Sequence, residues 1–147
     1  RFQEIFDKRW IFDWNVCDWF CVKVLGPIIR ENGYQAAEVL ANWSEADYLW
    51  QARCSIVPFV KVADKPEFYP LLIQACIKLI QREERFSKTA VGWVLHDVSK
   101  TDPGFVISFV EQYLVYFSNE SLKNALKYFN KPRQQFYLTE KRKLGKG

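Results

Sequence analysis

Four side chains stand where their neighbours give them no ordinary reason to be: Trp14, Asp18, Arg53 and Trp93. Advancing about 100° per residue along a helix, Ala90, Val91, Val94, Leu95 and Val98 share one apolar arc. Trp93 falls opposite that arc, flanked by Thr89, His96, Asp97 and Lys100. A large indole among polar groups needs a second surface, either a neighbouring structural unit or a ligand. Trp14 and Asp18 are one turn apart at the edge of another arc, built from Val16, Cys17, Phe20, Cys21, Val24 and Leu25. A carboxylate beside an indole at a core margin is either an ion-paired structural acid or a working one in a tuned environment. Arg53 lies inside the apolar phase of Leu49, Ile56, Val57 and Val60. Such an arginine needs a partner: a salt bridge, for which Asp18 is the obvious acid, or a phosphate clamped in the guanidinium fork.

The elements that must position these residues read as helices. The apolar spacing predicts a helix from Trp14 to about Arg30 behind an Asp13 cap, interrupted at Gly26-Pro27. A short helix follows Gly33. Ser44-Glu45-Ala46-Asp47 has capping-box spacing and opens a helix to about Val62, kinked by Pro58. Further helices are expected from about Glu67 to Arg82 and from about Arg85 to Lys100. Asp102-Pro103 opens one ending near Phe117, and Ser118 caps the last, to about Phe129. No strand alternation is evident. Asp18, Arg53 and Trp93 are spaced by about 35 and 40 residues, the scale of two-helix HEAT-type repeats. The fold class is therefore all-α, a HEAT-like helical repeat solenoid whose inner helices line a concave binding face carrying all three.

Composition fits that reading. The chain has 147 residues, of which 49% are hydrophobic and 17% aromatic, with 6 Gly and 6 Pro; these values exclude a disordered or collagen-like chain. No apolar run approaches the ~18 residues of a membrane span, and no secretory h-region opens the chain; an intracellular protein, nuclear or cytoplasmic, is expected, which reduced thiols suit. The first residue is Arg1 and Met is absent, which predicts a fragment lacking its amino-terminal part. An uncapped first repeat should then expose Ile5, Phe6, Trp10 and Ile11. The net charge is +4. Residues 131–147 hold Lys131, Arg133, Lys141, Arg142, Lys143 and Lys146 against Glu140, a balance of +5 that leaves −1 on residues 1–130. Basicity is thus a property of the tail, either a solvated, frayed end or an arm touching phosphates. Cys17, Cys21, Cys54 and Cys76 form no C-x-x-C pair, and the single histidine, His96, cannot complete a usual zinc set. Buried, reduced thiols are expected, with no metal and no disulfide.

The motifs around the four residues resemble those of the AlkD-like DNA alkylation repair glycosylases, built from HEAT-like repeats. They are Trp14-Asn15-Val16-Cys17-Asp18, Trp50-Gln51-Ala52-Arg53 and Thr89-Ala90-Val91-Gly92-Trp93-Val94-Leu95, extended by Lys100-Thr101-Asp102-Pro103 and Ser121-Leu122-Lys123-Asn124-Ala125. The resemblance covers most of residues 10–130 and implies a HEAT-like glycosylase domain over 1–130, lacking amino-terminal repeats, followed by the basic tail 131–147. It implies a monofunctional DNA glycosylase in base excision repair, releasing cationic N3- or N7-alkylated purines from double-stranded DNA. No cofactor is implied, and a monomer is expected.

By position, the resemblance makes Asp18 the catalytic carboxylate and Trp14 and Trp93 the indoles packed on the lesion's deoxyribose. Arg53 becomes a phosphate contact, with His96 and Lys100 as further DNA-binding positions. His96 replaces the Arg of many relatives, exchanging a fixed charge for a titratable one. An alkylated purine already carries positive charge and leaves readily. What remains is an oxocarbenium-like sugar, which a carboxylate and electron-rich ring faces stabilise. Two other readings are open: a HEAT-like adaptor binding protein, in which Asp18 and Arg53 would pair with each other, and a duplex-binding module without excision.

Overall fold

The computed structural model describes residues 2–146, and every regular element among them is helical. Ten α-helices follow in order: α1 Phe2–Asp7, α2 Trp14–Phe20, α3 Gly26–Asn32, α4 Tyr34–Asn42, α5 Leu49–Arg53, α6 Tyr69–Gln81, α7 Arg85–Val98, α8 Pro103–Tyr113, α9 Asn119–Ala125 and α10 Lys131–Lys146. None among the described residues is long and apolar enough to cross a membrane. Packing largely follows chain order: α3 lies on the 57–62 turn, α6 on α4 and α7, and α7 on α8 and α9. One continuous core runs from Phe6 to Tyr137.

Three starts form as their caps dictate. The Asp13 carboxylate accepts the Val16 N–H at 2.9 Å, and Asp102 accepts that of Phe105 at 3.0 Å. Ser118 and Ser121 form a reciprocal capping box. Gly33, at φ 72°, makes the tight turn joining α3 to α4, a conformation that favours glycine.

Other expectations need correction. The helix from Trp14 does not break at Gly26-Pro27. A π-helical turn, Cys21–Leu25, widens the backbone ahead of the proline, which then sits in the first turn of α3. The missing proline N–H and the ring's clash with the preceding turn are absorbed there. Ser44 caps no long helix. It lies buried in a 3₁₀ turn, Trp43–Glu45, and the segment expected to be one helix divides into that turn, α5 and a 3₁₀ turn at Val57–Val62. The cause is distant in sequence: Arg82 donates to the carbonyls of Ala46 and Asp47 at 2.7 and 2.8 Å, holding the chain extended between turn and helix.

At the beginning of the described chain, Phe6 and Ile11 are buried rather than exposed. Phe6 meets Trp43 edge-on at 5.3 Å, and the Tyr48 hydroxyl donates to the Ile11 carbonyl at 2.7 Å. Ile5 is half-buried, and Trp10 alone of the four is exposed. At the other end, residues 131–146 are not frayed. They form α10, anchored by buried Tyr137, whose hydroxyl donates to the Glu111 carboxylate at 2.6 Å.

Candidate active site

Asp18 sits in the last turn of α2, and Arg53 is the last residue of α5. The guanidinium grips the carboxylate with both arms, Nε to Oδ1 at 2.7 Å and Nη2 to Oδ2 at 3.1 Å. Its remaining nitrogen, Nη1, donates to the Phe86 carbonyl at 2.7 Å and to the Thr89 hydroxyl at 3.2 Å, both in the first turns of α7. Arg53 thus ties three helices through one planar fork. A buried guanidinium is tolerated because its donors find acceptors. Its side chain is 6% exposed, whereas that of Asp18 keeps 19%. The carboxylate therefore retains an open edge. Each of its oxygens still has a lone pair beyond the one Arg53 occupies.

Trp93 lies one turn after Thr89 on α7, half-buried, with its ring 5.8 Å from the Arg53 guanidinium carbon. The Phe86 ring lies at 5.7 Å from the same carbon and packs on Trp50. Cationic nitrogen over ring faces is a favourable arrangement. Trp14 opens α2 one turn before Asp18 and is 49% exposed. Asp18, Arg53 and Trp93 are therefore linked by contacts, and Trp14 stands beside Asp18 on the same helix. The larger clefts lie elsewhere, one of about 420 Å³ between α9 and α10 being lined by Lys123, Lys141 and Arg142.

The remaining expected positions lie near the end of α7 and just beyond it. His96 stacks on Tyr128 with ring centres 4.3 Å apart, its Nδ1 is 3.2 Å from Asp97, and its Nε2 is buried without a hydrogen-bond partner. That imidazole is occupied with packing. Lys100 is exposed, its ammonium 5.1 Å from the Tyr128 ring centre. Likewise Arg53 faces Asp18 and α7 rather than solvent, so of its two readings the ion pair has geometric support and the phosphate clamp has none.

Sequence reasoning missed two features. The Phe86 carbonyl is a main-chain acceptor without side-chain signature. The thiols of Cys17, Cys21 and Cys54 converge within 4.8 Å of one another, immediately behind Asp18 and Arg53. A signal existed: if residues 18 and 53 pair, 17 and 54 must be near, and 21 lies one turn from 17.

Comparison with known proteins bears on this geometry. A family model described as DNA alkylation repair enzyme matches residues 3–129. Neither the curated proteins nor the solved structures gave a match.

Proposed function

The chain belongs to the DNA alkylation repair enzyme family, and from that premise we propose that it is a monofunctional glycosylase releasing cationic N3- or N7-alkylated purines from duplex DNA. Its role in DNA alkylation repair follows from the family; the reaction is our reading of the site. The observation that carries it is Asp18: a carboxylate with an open edge, held in a fixed orientation by the Arg53 fork, whose guanidinium also lies 5.8 Å from the Trp93 ring, and one turn from the exposed ring of Trp14.

In this mechanism the C1′–N bond breaks with both electrons leaving on the purine, whose positive charge is thereby neutralised, so no strong acid is required. The cation that forms on the sugar meets the Asp18 carboxylate. Electrostatic stabilisation of a charge that exists only near the transition state lowers the barrier without tightening substrate binding. Trp14 and Trp93 offer electron-rich faces to the same cation. Water directed by the carboxylate adds to C1′ and passes its extra proton through Asp18 to solvent, leaving an abasic site. Arg53 is a positioning residue that preorganises Asp18. Lys100, exposed on α7's C-terminal side beyond Trp93, serves as a backbone contact, whereas His96 supports Tyr128.

A second reading has one observation in its favour. The Asp18–Arg53 pair is also what a HEAT-like adaptor binding protein would contain, since a pair can be purely structural. The two readings separate on duplex DNA carrying 7-methylguanine. A glycosylase releases the free base and leaves an abasic strand that is cut only after alkali; Trp93→Ala lowers that release. An adaptor neither retains the duplex nor releases the base, and a duplex-binding module retains the DNA and releases nothing.

A further inference from the structure

Behind the Asp18–Arg53 pair the sulfurs of Cys17, Cys21 and Cys54 form a triangle. Cys17 is on α2, Cys21 opens the π-helical turn that follows it, and Cys54 immediately follows α5. The Sγ atoms of Cys17 and Cys54 are 3.5 Å apart, and those of Cys21 and Cys54 3.4 Å. All three residues are fully buried free thiols. These separations are far from the ~2.05 Å of a disulfide. They are close to the roughly 4 Å between sulfurs around a metal held at ~2.3 Å.

We infer that Cys17, Cys21 and Cys54 form a three-sulfur site for a thiophilic monovalent cation of the Cu(I) class. The donor set selects it. Soft thiolates favour Cu(I), and harder divalent ions prefer oxygen or nitrogen. Zinc needs a fourth ligand, and among the described residues no imidazole or carboxylate joins the group. The neighbouring Asp18 carboxylate does not belong to the group either; it faces Arg53. The Trp50 carbonyl also reaches the cluster, but at 3.5 Å from the Cys17 sulfur it already accepts that S–H.

Burial pushes the thiols of Cys21 and Cys54 up, so both hold their protons in the absence of a cation. A cation entering the triangle takes the place of S–H protons, which pass to solvent; no sulfur is oxidised. The fourth cysteine, Cys76, is buried by itself and is the internal control. Occupancy would link α2 to α5 at the positions flanking Asp18 and Arg53, so the inference concerns the scaffold of the site and stands whether or not the chain excises bases.

The experiment is an anaerobic titration of the reduced, folded full chain with Cu(I) buffered by a chromogenic Cu(I) chelator. The expected result is one equivalent taken from the chelator, a near-ultraviolet thiolate-to-copper charge-transfer band, and a higher melting temperature. Cys54→Ser and Cys21→Ser, each checked for native circular dichroism, should bind at least about 100-fold more weakly, while Cys76→Ser should match wild type. The wild-type titration decides the matter even if a variant fails to fold. Copper left wholly with the chelator, uptake that appears only in urea, or equal uptake by Cys76→Ser and Cys54→Ser would overturn the inference. So would tighter binding of Zn(II), with Co(II) giving a tetrahedral spectrum.

Discussion

Arg53 illustrates how much one side chain can organise. It makes four hydrogen bonds, two to Asp18 and two to α7, from a nearly buried position. Arg53→Ala would remove them together and leave the Asp18 carboxylate without its cation. Breaking a buried pair from one side costs roughly 3–5 kcal/mol, and urea denaturation should show a loss of that order. A loss below about 1 kcal/mol would make this an ordinary surface pair. Arg53 was legible in the sequence as a misfit, because an arginine inside an apolar phase must have a partner, and Asp18 was the acid at the right spacing. What the misfit could not reveal was the choice between an internal acid and an external phosphate, which depends on where the fork points. Thr89 and the Phe86 carbonyl complete its shell. Nothing in the types of residues 86 and 89 announces a contact to residue 53. His96 marks the same limit: the resemblance makes it a DNA-binding position, and nothing in its residue type announces the Tyr128 ring stacked on it.

Elements were legible where their signals are local. The caps at Asp13, Asp102 and Ser118 act on N–H groups three residues away, so composition and spacing suffice. Ser44 failed because a distant residue decides its segment: Arg82 holds the carbonyls of residues 46 and 47. Gly26-Pro27 predicts a kink or break because a proline inside an α-helix usually makes one; the π-helical turn is a tertiary accommodation with no sequence rule to foretell it. The packing of α7 on α9 supplies a test at this scale. A Cβ on Gly92 would lie 2.6 Å from the Ser121 carbonyl oxygen and 3.0 Å from its Cα. Backbone at a capping box cannot yield cheaply, so Gly92→Ala should destabilise by about 1–3 kcal/mol. It should also displace α7 enough to change Trp93 fluorescence. Unchanged stability and emission would mean that the two helices part without cost.

At the scale of the whole molecule, charge and packing meet at α10. The positive balance of the chain resides in residues 131–147, and α10 docks that charge on the fold through Tyr137 instead of leaving it loose. Lys141 and Arg142 line the cleft shared with Lys123 on α9. Replacing Lys141, Arg142 and Lys143 by Ser leaves Tyr137 in place. If this face follows the duplex, the salt dependence of binding flattens by nearly one unit of slope for each phosphate that is no longer neutralised; an unchanged slope would place the duplex elsewhere. The all-helical class was legible from periodicity alone, since each helix carries an apolar stripe that a neighbour must cover. The folding of the last 16 described residues was not, because their helix is mostly polar and is recruited by one tyrosine. The proposed function turns on the Asp18 carboxylate acting on the sugar cation, and Asp18→Asn isolates it, because the amide keeps the size of the side chain and an acceptor for Arg53. The measurement is single-turnover release of 7-methylguanine from duplex DNA at saturating protein, with stability and DNA affinity recorded for both proteins. The expected result is a fall on the order of 10²–10³-fold in rate with affinity nearly unchanged. Equal rates for the two proteins, or no release by the wild type, would contradict it.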